Sequence, residues 1–340
     1  MKKTLKKAGG ILLLAVGVCA SLWAGGTSEA PSAGKKAGVT KIGVSKLLAH
    51  PALDAAEQGM VDYLKQTGLS VSFDSQNANG EIATASSIAQ KFKNDRADIV
   101  VGIATPSAQA LANVFTDIPV VFTAVTDPVA AGLVASATAG GGNVTGVSDA
   151  NPIKEQLELF KRLTGARTIG MIYSSGEANA IVQMEEAQIA ASELGMAFVP
   201  VAIANSAEVK LAAQSIIDRI DAVYIATDNT VVSAIASVSD VCMKAGKPLF
   251  NADTTSSDGI DFFLSWGFNY YSLGVATGKL VERIINGENP GSIPTVFLSD
   301  PSEFELWVNL DVAGKLGLTV PQDILDAAKV IVQDGRKITR

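Results

Sequence analysis

Apolar positions along this chain follow two periods, and the periods take turns. Short runs such as Ile42-Gly-Val44, Ile99-Val-Val-Gly-Ile103 and Val120-Val-Phe122 are almost wholly apolar and bounded by turn residues. Such runs read as strands buried on both faces, the habit of a parallel sheet. Between them the apolar residues fall three or four apart. Leu53, Ala56, Met60, Val61 and Leu64 follow Pro51 at helical spacing and stop at Gly68; proline at the start and glycine past the end suit a helix. The pattern predicts strands at 41–47, 69–73, 99–103 and 120–124, with helices from Pro51, over 81–93 and from about Ser107.

The second half repeats the first. Ile42-Gly43-Val44 recurs as Ile169-Gly170-Met171 at an offset of 127, and Gly68 recurs as Gly195 at the same offset. Asp98-Ile-Val-Val-Gly-Ile-Ala104-Thr105 returns one residue shorter as Asp221-Ala-Val-Tyr-Ile-Ala226-Thr227. The second unit is expected to place strands at 168–173, 197–202, 222–225 and 249–251, and helices at 177–194, 206–219 and 231–244. A Gly-rich stretch at 135–143 reads as a loop at the first lobe boundary. Beyond the repeat, 262–266, 295–298 and 304–308 read as strands and 271–286 as a helix, with crossings that periodicity does not fix. Two units with right-handed crossovers predict an α/β protein of two doubly wound parallel-sheet lobes joined by a multi-strand hinge. The first lobe takes 41–147 and about 270–300, the second 148–269 and about 301–340.

Composition narrows the picture. A chain of 340 residues, 48% hydrophobic and 18% charged, is long enough for two cored domains and too apolar for disorder. Lys2, Lys3, Lys6 and Lys7, the apolar run 11–18 and small residues up to Ala24 form an export signal over 1–24, followed by a flexible linker over 25–40. Two processing routes are open: cleavage after Ala24, giving a soluble exported protein, or lipidation of Cys19 in the lipobox-like Val16-Gly17-Val18-Cys19. Loss of 1–24 removes four lysines and no acid, so net charge moves from −7 to −11, which speaks against nucleic acid or anionic lipid as partner. Cys242 then stands alone, so no intramolecular disulfide forms.

No enzyme motif emerges. The chain has no Gly-x-Ser-x-Gly elbow, no phosphate-binding Gly-x-x-x-x-Gly-Lys loop and no metal-ligand spacing, and its one histidine is His50. The expectation is a protein without catalysis, cofactor or metal.

Open α/β sheets bind ligands beyond the carboxyl ends of their strands. In the first lobe those positions carry His50, Thr105, Ser107, Thr126 and Asp127; in the second, Glu177, Asn179, Thr227, Asp228, Asn229 and Asp253. Ser148 and Asp149 lie at the junction, and Trp266 is an aromatic candidate. This mix suits a zwitterion: hydroxyls and helix N-terminal amides hold a carboxylate, a buried carboxylate holds an ammonium, and an aromatic stacks. Blander roles stand beside these. Ser107 and Asp228 are natural helix caps, Asp127-Pro128 suits a plain turn, His50 suits a solvated loop, and Trp266 suits a core.

Several stretches in order resemble one family. They are His50-Pro-Ala-Leu-Asp54, Ala124-Val-Thr-Asp-Pro-Val129 with Ala131-Gly132-Leu133, Asn143-Val-Thr-Gly-Val-Ser-Asp149, Ser175-Gly-Glu-Ala-Asn179, Thr227-Asp-Asn-Thr230 and Asn269-Tyr-Tyr-Ser-Leu-Gly274. Over roughly 40–330 the chain is similar to the tryptophan/tyrosine-type substrate-binding proteins of bacterial ABC importers. The resemblance implies a type I-like periplasmic-binding-protein fold. It implies an extracytoplasmic monomer that closes on an amino acid, aromatic or apolar, and delivers it to a membrane permease and its ATPase. A sensing module that presents the closed form to a receptor is the alternative. It further implies that Glu177, Asp228 or Asp253 meets the ammonium and that Thr105, Ser107 and Thr126 meet the carboxylate. One stretch departs: at 258–267 Phe262, Phe263 and Trp266 stand where small residues are expected, implying a reshaped side-chain pocket.

Overall fold

The computed structural model describes residues 38–298 and 303–340. The expected export signal, Cys19 and most of the expected linker lie outside them. The chain opens with β1 (Thr40–Lys46), α1 (Pro51–Gln66), β2 (Val71–Asn77), α2 (Ile82–Asn94), β3 (Ile99–Ile103), α3 (Thr105–Val114), β4 (Val120–Thr123) and β5 (Val144–Ser148). The second unit runs α4 (Ile153–Thr164), β6 (Thr168–Ser174), α5 (Ala178–Glu193), β7 (Ala197–Ile203), α6 (Val209–Ile216), β8 (Ala222–Ile225), α7 (Asn229–Val232), α8 (Ile235–Ala245) and β9 (Leu249–Asn251). The tail adds β10 (Leu264–Phe268), α9 (Tyr270–Ile285), β11 (Val296–Phe297), β12 (Phe304–Asn309), α10 (Leu310–Lys315), α11 (Gln322–Ala327), β13 (Val330–Gln333) and β14 (Arg336–Thr339).

Two sheets result. One has the order β11-β5-β4-β3-β1-β2 and the other β14-β13-β12-β10-β9-β8-β6-β7. The first is parallel throughout, and the second is parallel except where β12 meets β10 and β14 meets β13. The internal repeat reappears as geometry, since β4-β3-β1-β2 and β9-β8-β6-β7 are the same order. The chain passes between the sheets after β5, after β10 and between β11 and β12, so the hinge has three strands.

Each sheet is covered on both faces, as its unbroken apolar strands require. Phe160, Tyr224, Phe250 and Phe263 fill one face of the larger sheet, while Ile172, Ile216, Val223 and Phe262 fill the other. In the smaller sheet Val44, Leu53, Met60 and Val101 oppose Phe92, Val100, Leu111 and Phe122. Burial of each such side chain contributes on the order of 1.5–3 kcal/mol. After β10 the chain returns to the first lobe as α9, which packs on α1 nearly backbone to backbone. A Cβ on Gly59 would collide with the Tyr271 carbonyl, and one on Gly274 with that of Ala56.

Several elements differ from expectation. The Gly-rich 135–143 stretch is followed by β5, a fifth strand of the first sheet, so it lies inside the first lobe. Its Thr145 and Ser148 break the apolar run that marks the other strands, although every position of β5 is buried. The helix expected over 231–244 is broken into α7 and α8 at Ser233-Ala234. Strands β13 and β14 extend the larger sheet beyond the repeat; β14 is exposed at every position, which hides it from an apolar pattern.

Candidate binding cleft

The carboxyl ends of both sheets face one narrow cavity. It is lined by His50, Leu53, Ala124, Asp149 and Tyr270 together with Asn179, Thr227, Asp228, Asn229, Val232 and Asp253. Its free volume is about 10 Å³, room for about one water. A ligand the size of an amino acid enters only when the lobes part.

The first lobe contributes neutral donors. Gly102 lets α3 sit tightly on its strand, because a Cβ there would collide with the Ala108 backbone. The residue before α3, Ala104, has φ 77° and ψ 154°, and Ala124 at the end of β4 has φ 54°. Both are left-handed conformations that cost a non-glycine residue on the order of 1–3 kcal/mol and collect at functional sites. No side chain caps α3. The Thr105 and Ser107 hydroxyls in its first turn are buried without hydrogen-bond partners, as is that of Ser45 near the end of β1. An uncapped helix N-terminus with idle hydroxyls beside it is an anion site in waiting.

The second lobe contributes carboxylates, each held by its local structure. Asp228 precedes α7 and accepts the amide N–H groups of Val231 at 3.0 Å and Ser174 at 2.5 Å. Asp253 accepts the Ser256 amide at 3.0 Å and its hydroxyl at 2.6 Å. Glu177 accepts from the Asn229 amide at 2.5 Å, the Thr230 hydroxyl at 2.6 Å and the Thr230 N–H at 3.0 Å. Gln183 ties α5 to the same corner by accepting the Thr227 hydroxyl at 2.7 Å. At the junction Asp149 accepts from Thr126 at 3.1 Å and from Tyr270 at 2.8 Å.

Electrostatics sharpen this division. Asp149, Asp228 and Asp253 are all buried, and no lysine or arginine lines the cavity. Burial pushes Asp149 up to about 6 despite hydrogen bonds from Tyr270 and Thr126. Burial, with the charge of Glu177 added, pushes Asp228 up to about 8. Asp253 is raised by burial too, with His50 acting against the rise. His50 is lowered by burial, against the pull of Asp253. Three carboxylates that resist ionisation in a cavity without a fixed cation have room for a cation brought by a ligand. Among the described residues no cluster of acids, histidines or cysteines has metal-binding geometry.

The sequence-expected residues fall into groups. His50, Asp149, Asn179, Thr227, Asp228, Asn229 and Asp253 line the cavity. Thr105 and Ser107 stand at the α3 N-terminus, while Glu177 braces Asn229. Thr126 gives its hydroxyl to Asp149, and Ser148 donates to the Thr126 carbonyl at 2.8 Å, so both support the wall from behind. Asp127 accepts the Val129 and Ala130 amides, the plain turn that its proline suggested. Trp266 packs on the core of the second lobe, and Phe262 and Phe263 are buried in the two cores of that lobe. The aromatic segment at 258–267 therefore fills cores instead of reshaping a pocket. His50 is not a solvated loop residue but is buried, and it occupies the N-cap position of α1 without capping it. The cavity is lined as well by Leu53, Ala124 and Tyr270, which stand in the family-like stretches, and by Val232, which sequence reasoning missed. Ser45, buried without a partner near the end of β1, lies outside that lining, and Tyr270 lies two residues beyond the end of β10.

Comparison with known proteins fits this architecture. Residues 41–332 match the family model for ABC transporter substrate binding proteins. The tyrosine-binding protein of Clostridioides difficile strain R20291 is 38% identical over 283 residues, covering 82% of this chain and 81% of the relative. A Streptococcus pneumoniae ABC domain solved with L-Trp is 33% identical with a TM-score of 0.82, covering 87% of this chain and all of that one. A ligand-free, open substrate binding protein from Clostridium difficile with adhesive properties is 37% identical with a TM-score of 0.64, covering 84% of this chain and 97% of that one. The more identical relative superposes less well. Two lobes on a three-strand hinge, a polar cleft between them and these matches establish that the chain belongs to the ABC transporter substrate binding protein family.

Proposed function

We propose that the protein captures an aromatic amino acid between its lobes outside the cytoplasm and delivers it, as a monomer, to a permease and ATPase in the membrane. Family membership makes it a substrate-binding component of an ABC transporter. The names of its relatives, binding tyrosine or solved with tryptophan, support an aromatic ligand. The observation that carries the reading is the unequal chemistry of the two walls. Asp228 and Asp253 on one side lack any fixed cation, and the uncapped start of α3, with Thr105 and Ser107, lacks an anion. An α-amino acid supplies both charges from one carbon atom. Binding then amounts to lobe closure favoured by contacts that exist only in the closed form. The role requires no chemical step, and the protein acts as a carrier without catalysis.

Calorimetric titration of the ligand-stripped protein with each of the twenty amino acids tests this. An aromatic amino acid is expected to bind with a dissociation constant below about 10 μM, roughly −7 kcal/mol. Affinities weaker than about 100 μM for every aromatic would sink the reading.

A further inference from the structure

Among the described residues, the buried side-chain atoms without hydrogen-bond partners are few: Ser45 Oγ, both ring nitrogens of His50, Thr105 Oγ1, Ser107 Oγ, Asn179 Oδ1 and Thr295 Oγ1. All but Thr295 belong to the cleft side of the molecule. Buried polar atoms without partners are rare in folded proteins, and each one calls for an explanation. The charged ends of an amino acid account for some of them. The three hydroxyls stand at the ends of β1 and β3, where the α3 N-terminus favours a carboxylate. The ammonium has the aspartates. His50 and Asn179 are left over.

Both line the cavity, and they come from opposite lobes. His50 is 7% exposed and Asn179 is 4% exposed. The Asn229 side-chain oxygen faces the imidazole as an acceptor and raises its proton affinity, while the Asn229 N–H goes to Glu177; neither ring nitrogen has a partner in hydrogen-bond geometry. A buried imidazole in this setting is neutral, so one of its nitrogens is an acceptor. The Asn179 amide N–H is given to the Thr227 carbonyl at 3.2 Å, which fixes the amide orientation and leaves its oxygen as a second free acceptor. Two idle acceptors face the same cavity as the apolar Leu53, Ala124 and Val232. That set matches an aromatic side chain carrying one O–H or N–H donor.

We infer that His50 and Asn179 read the polar group of the ligand side chain, so that the cleft selects a phenol or an indole over a plain phenyl ring. This rests on the aromatic amino acid reading above and deepens it. The physical basis is asymmetric. A donor-bearing ring gives its O–H or N–H to one of these acceptors, whereas phenylalanine leaves both desolvated and unpaired, a defect that recognition sites penalise heavily.

Titrating the ligand-stripped protein with L-tyrosine, L-tryptophan and L-phenylalanine tests the inference before any mutation is made. Tyrosine or tryptophan is expected to bind at least about 100-fold more tightly than phenylalanine; whichever is tighter identifies the donor as O–H or N–H. The titrations are then repeated on His50→Ala and Asn179→Ala, with near-UV circular dichroism as the check of fold. In either variant the preference over phenylalanine is expected to fall below about tenfold. Equal affinity for all three ligands in the unmutated protein would overturn the inference while leaving aromatic capture standing. An equal loss for all three ligands in both variants would also overturn it, by placing these residues on the shared amino acid group. If none of the three binds, the proposed function itself fails, an outcome separate from both.

Discussion

The two walls of the cleft are built on the same turn and carry opposite chemistry. At the end of β3 the chain reads Thr105-Pro-Ser107 and enters α3; at the equivalent end of β8 it reads Thr227-Asp228-Asn229 and enters α7. Proline in the first wall blocks no needed amide and leaves the helix start uncapped, with ten residues of helix behind it. Aspartate in the second wall caps its helix, which is only four residues long, and brings a negative charge into the cavity. A duplicated frame therefore fixes where residues stand, and single substitutions at strand ends decide which end of a zwitterion each lobe grips. The first wall attracts an anion through dipoles, and the second attracts a cation through charge.

Charge makes the second wall the stronger hold, so the largest effect is expected there. Asp228→Asn keeps the shape and one of the two accepted backbone amides, sets an NH2 group against the other and removes the charge. Ligand affinity is expected to fall about 100- to 1,000-fold, in the range seen when one partner of a buried charge pair is lost. Without ligand at neutral pH the same variant is expected to stay within about 1–2 kcal/mol of the parent, because relief of a carboxyl whose ionisation burial opposes offsets the amide left without an acceptor. Calorimetry and thermal melts in parallel read both. Loss of affinity together with a larger loss of ligand-free stability would mean that capping, and not charge, dominates at Asp228.

Protons offer a second way to probe the cleft, since burial shifts its carboxyls and its histidine in opposite directions. Asp149 at about 6 and Asp228 at about 8 are both raised by burial relative to the ordinary 3.8, and Asp253 is raised with them. A carboxyl held above its ordinary value in the folded protein binds its proton more tightly there than in the unfolded chain. These groups therefore cost nothing below about pH 4 and lower the folding stability as pH rises toward about 8. The groups facing these acids are Glu177, His50, Thr126, Tyr270 and Ser256. His50 is lowered by burial, which adds an opposing dependence near its own range. Without ligand the protein is expected to melt progressively higher as pH falls from about 8 to about 5. The unfolding equilibrium constant should change at most about tenfold per pH unit for each proton. A melting temperature that stays flat over this range would show that the acids remain ionised in the folded form.

The first wall is expected to respond less. Ser107→Ala removes one hydroxyl and leaves the α3 amides in place. A hydrogen bond to a charged group contributes about 1.5–3 kcal/mol, and its neighbours Ser45 and Thr105 share the load. Affinity for the amino acid is expected to fall about tenfold, with little change for an analogue whose carboxylate is replaced by a neutral amide. An equal loss for both ligands, measured by calorimetry, would remove Ser107 from the carboxylate site.

Much of this architecture was legible because it rests on local rules. Apolar runs such as 99–103 and 222–225 became central parallel strands, and the repeat offset became an identical strand order. Strand ends located the cleft, which seven of the expected residues line. The illegible parts depend on contacts distant in sequence. The helix α9 returns to pack on α1 through Gly59 and Gly274, a fit between elements more than two hundred residues apart that no local period records. Thr126 looked like a ligand hydroxyl because it follows a strand, yet its partner is Asp149, brought close by the next strand. Strand β14 is exposed along its length and is fixed by pairing with β13, not by burial.

Trp266 offers the smallest and most discriminating test of that boundary. As an aromatic near a strand end it suited a ligand platform, yet in β10 it pairs with Leu306 on the neighbouring strand and packs on the core of the second lobe. Its carbonyl accepts the Gln156 side-chain amide at 2.6 Å, and Gln156 in turn accepts the hydroxyl of buried Tyr224 at 2.6 Å. These contacts assign the indole to lobe stability. Trp266→Ala is expected to lower unfolding stability by about 1–3 kcal/mol, below the range for a wholly buried tryptophan because this one is only partly covered. Ligand affinity should stay within about twofold of the parent, since the side chain does not line the cavity. Denaturant unfolding and calorimetry separate the two readouts. A tenfold loss of affinity with unchanged stability would return Trp266 to the cleft and show that position at a strand end outweighs the packing seen here.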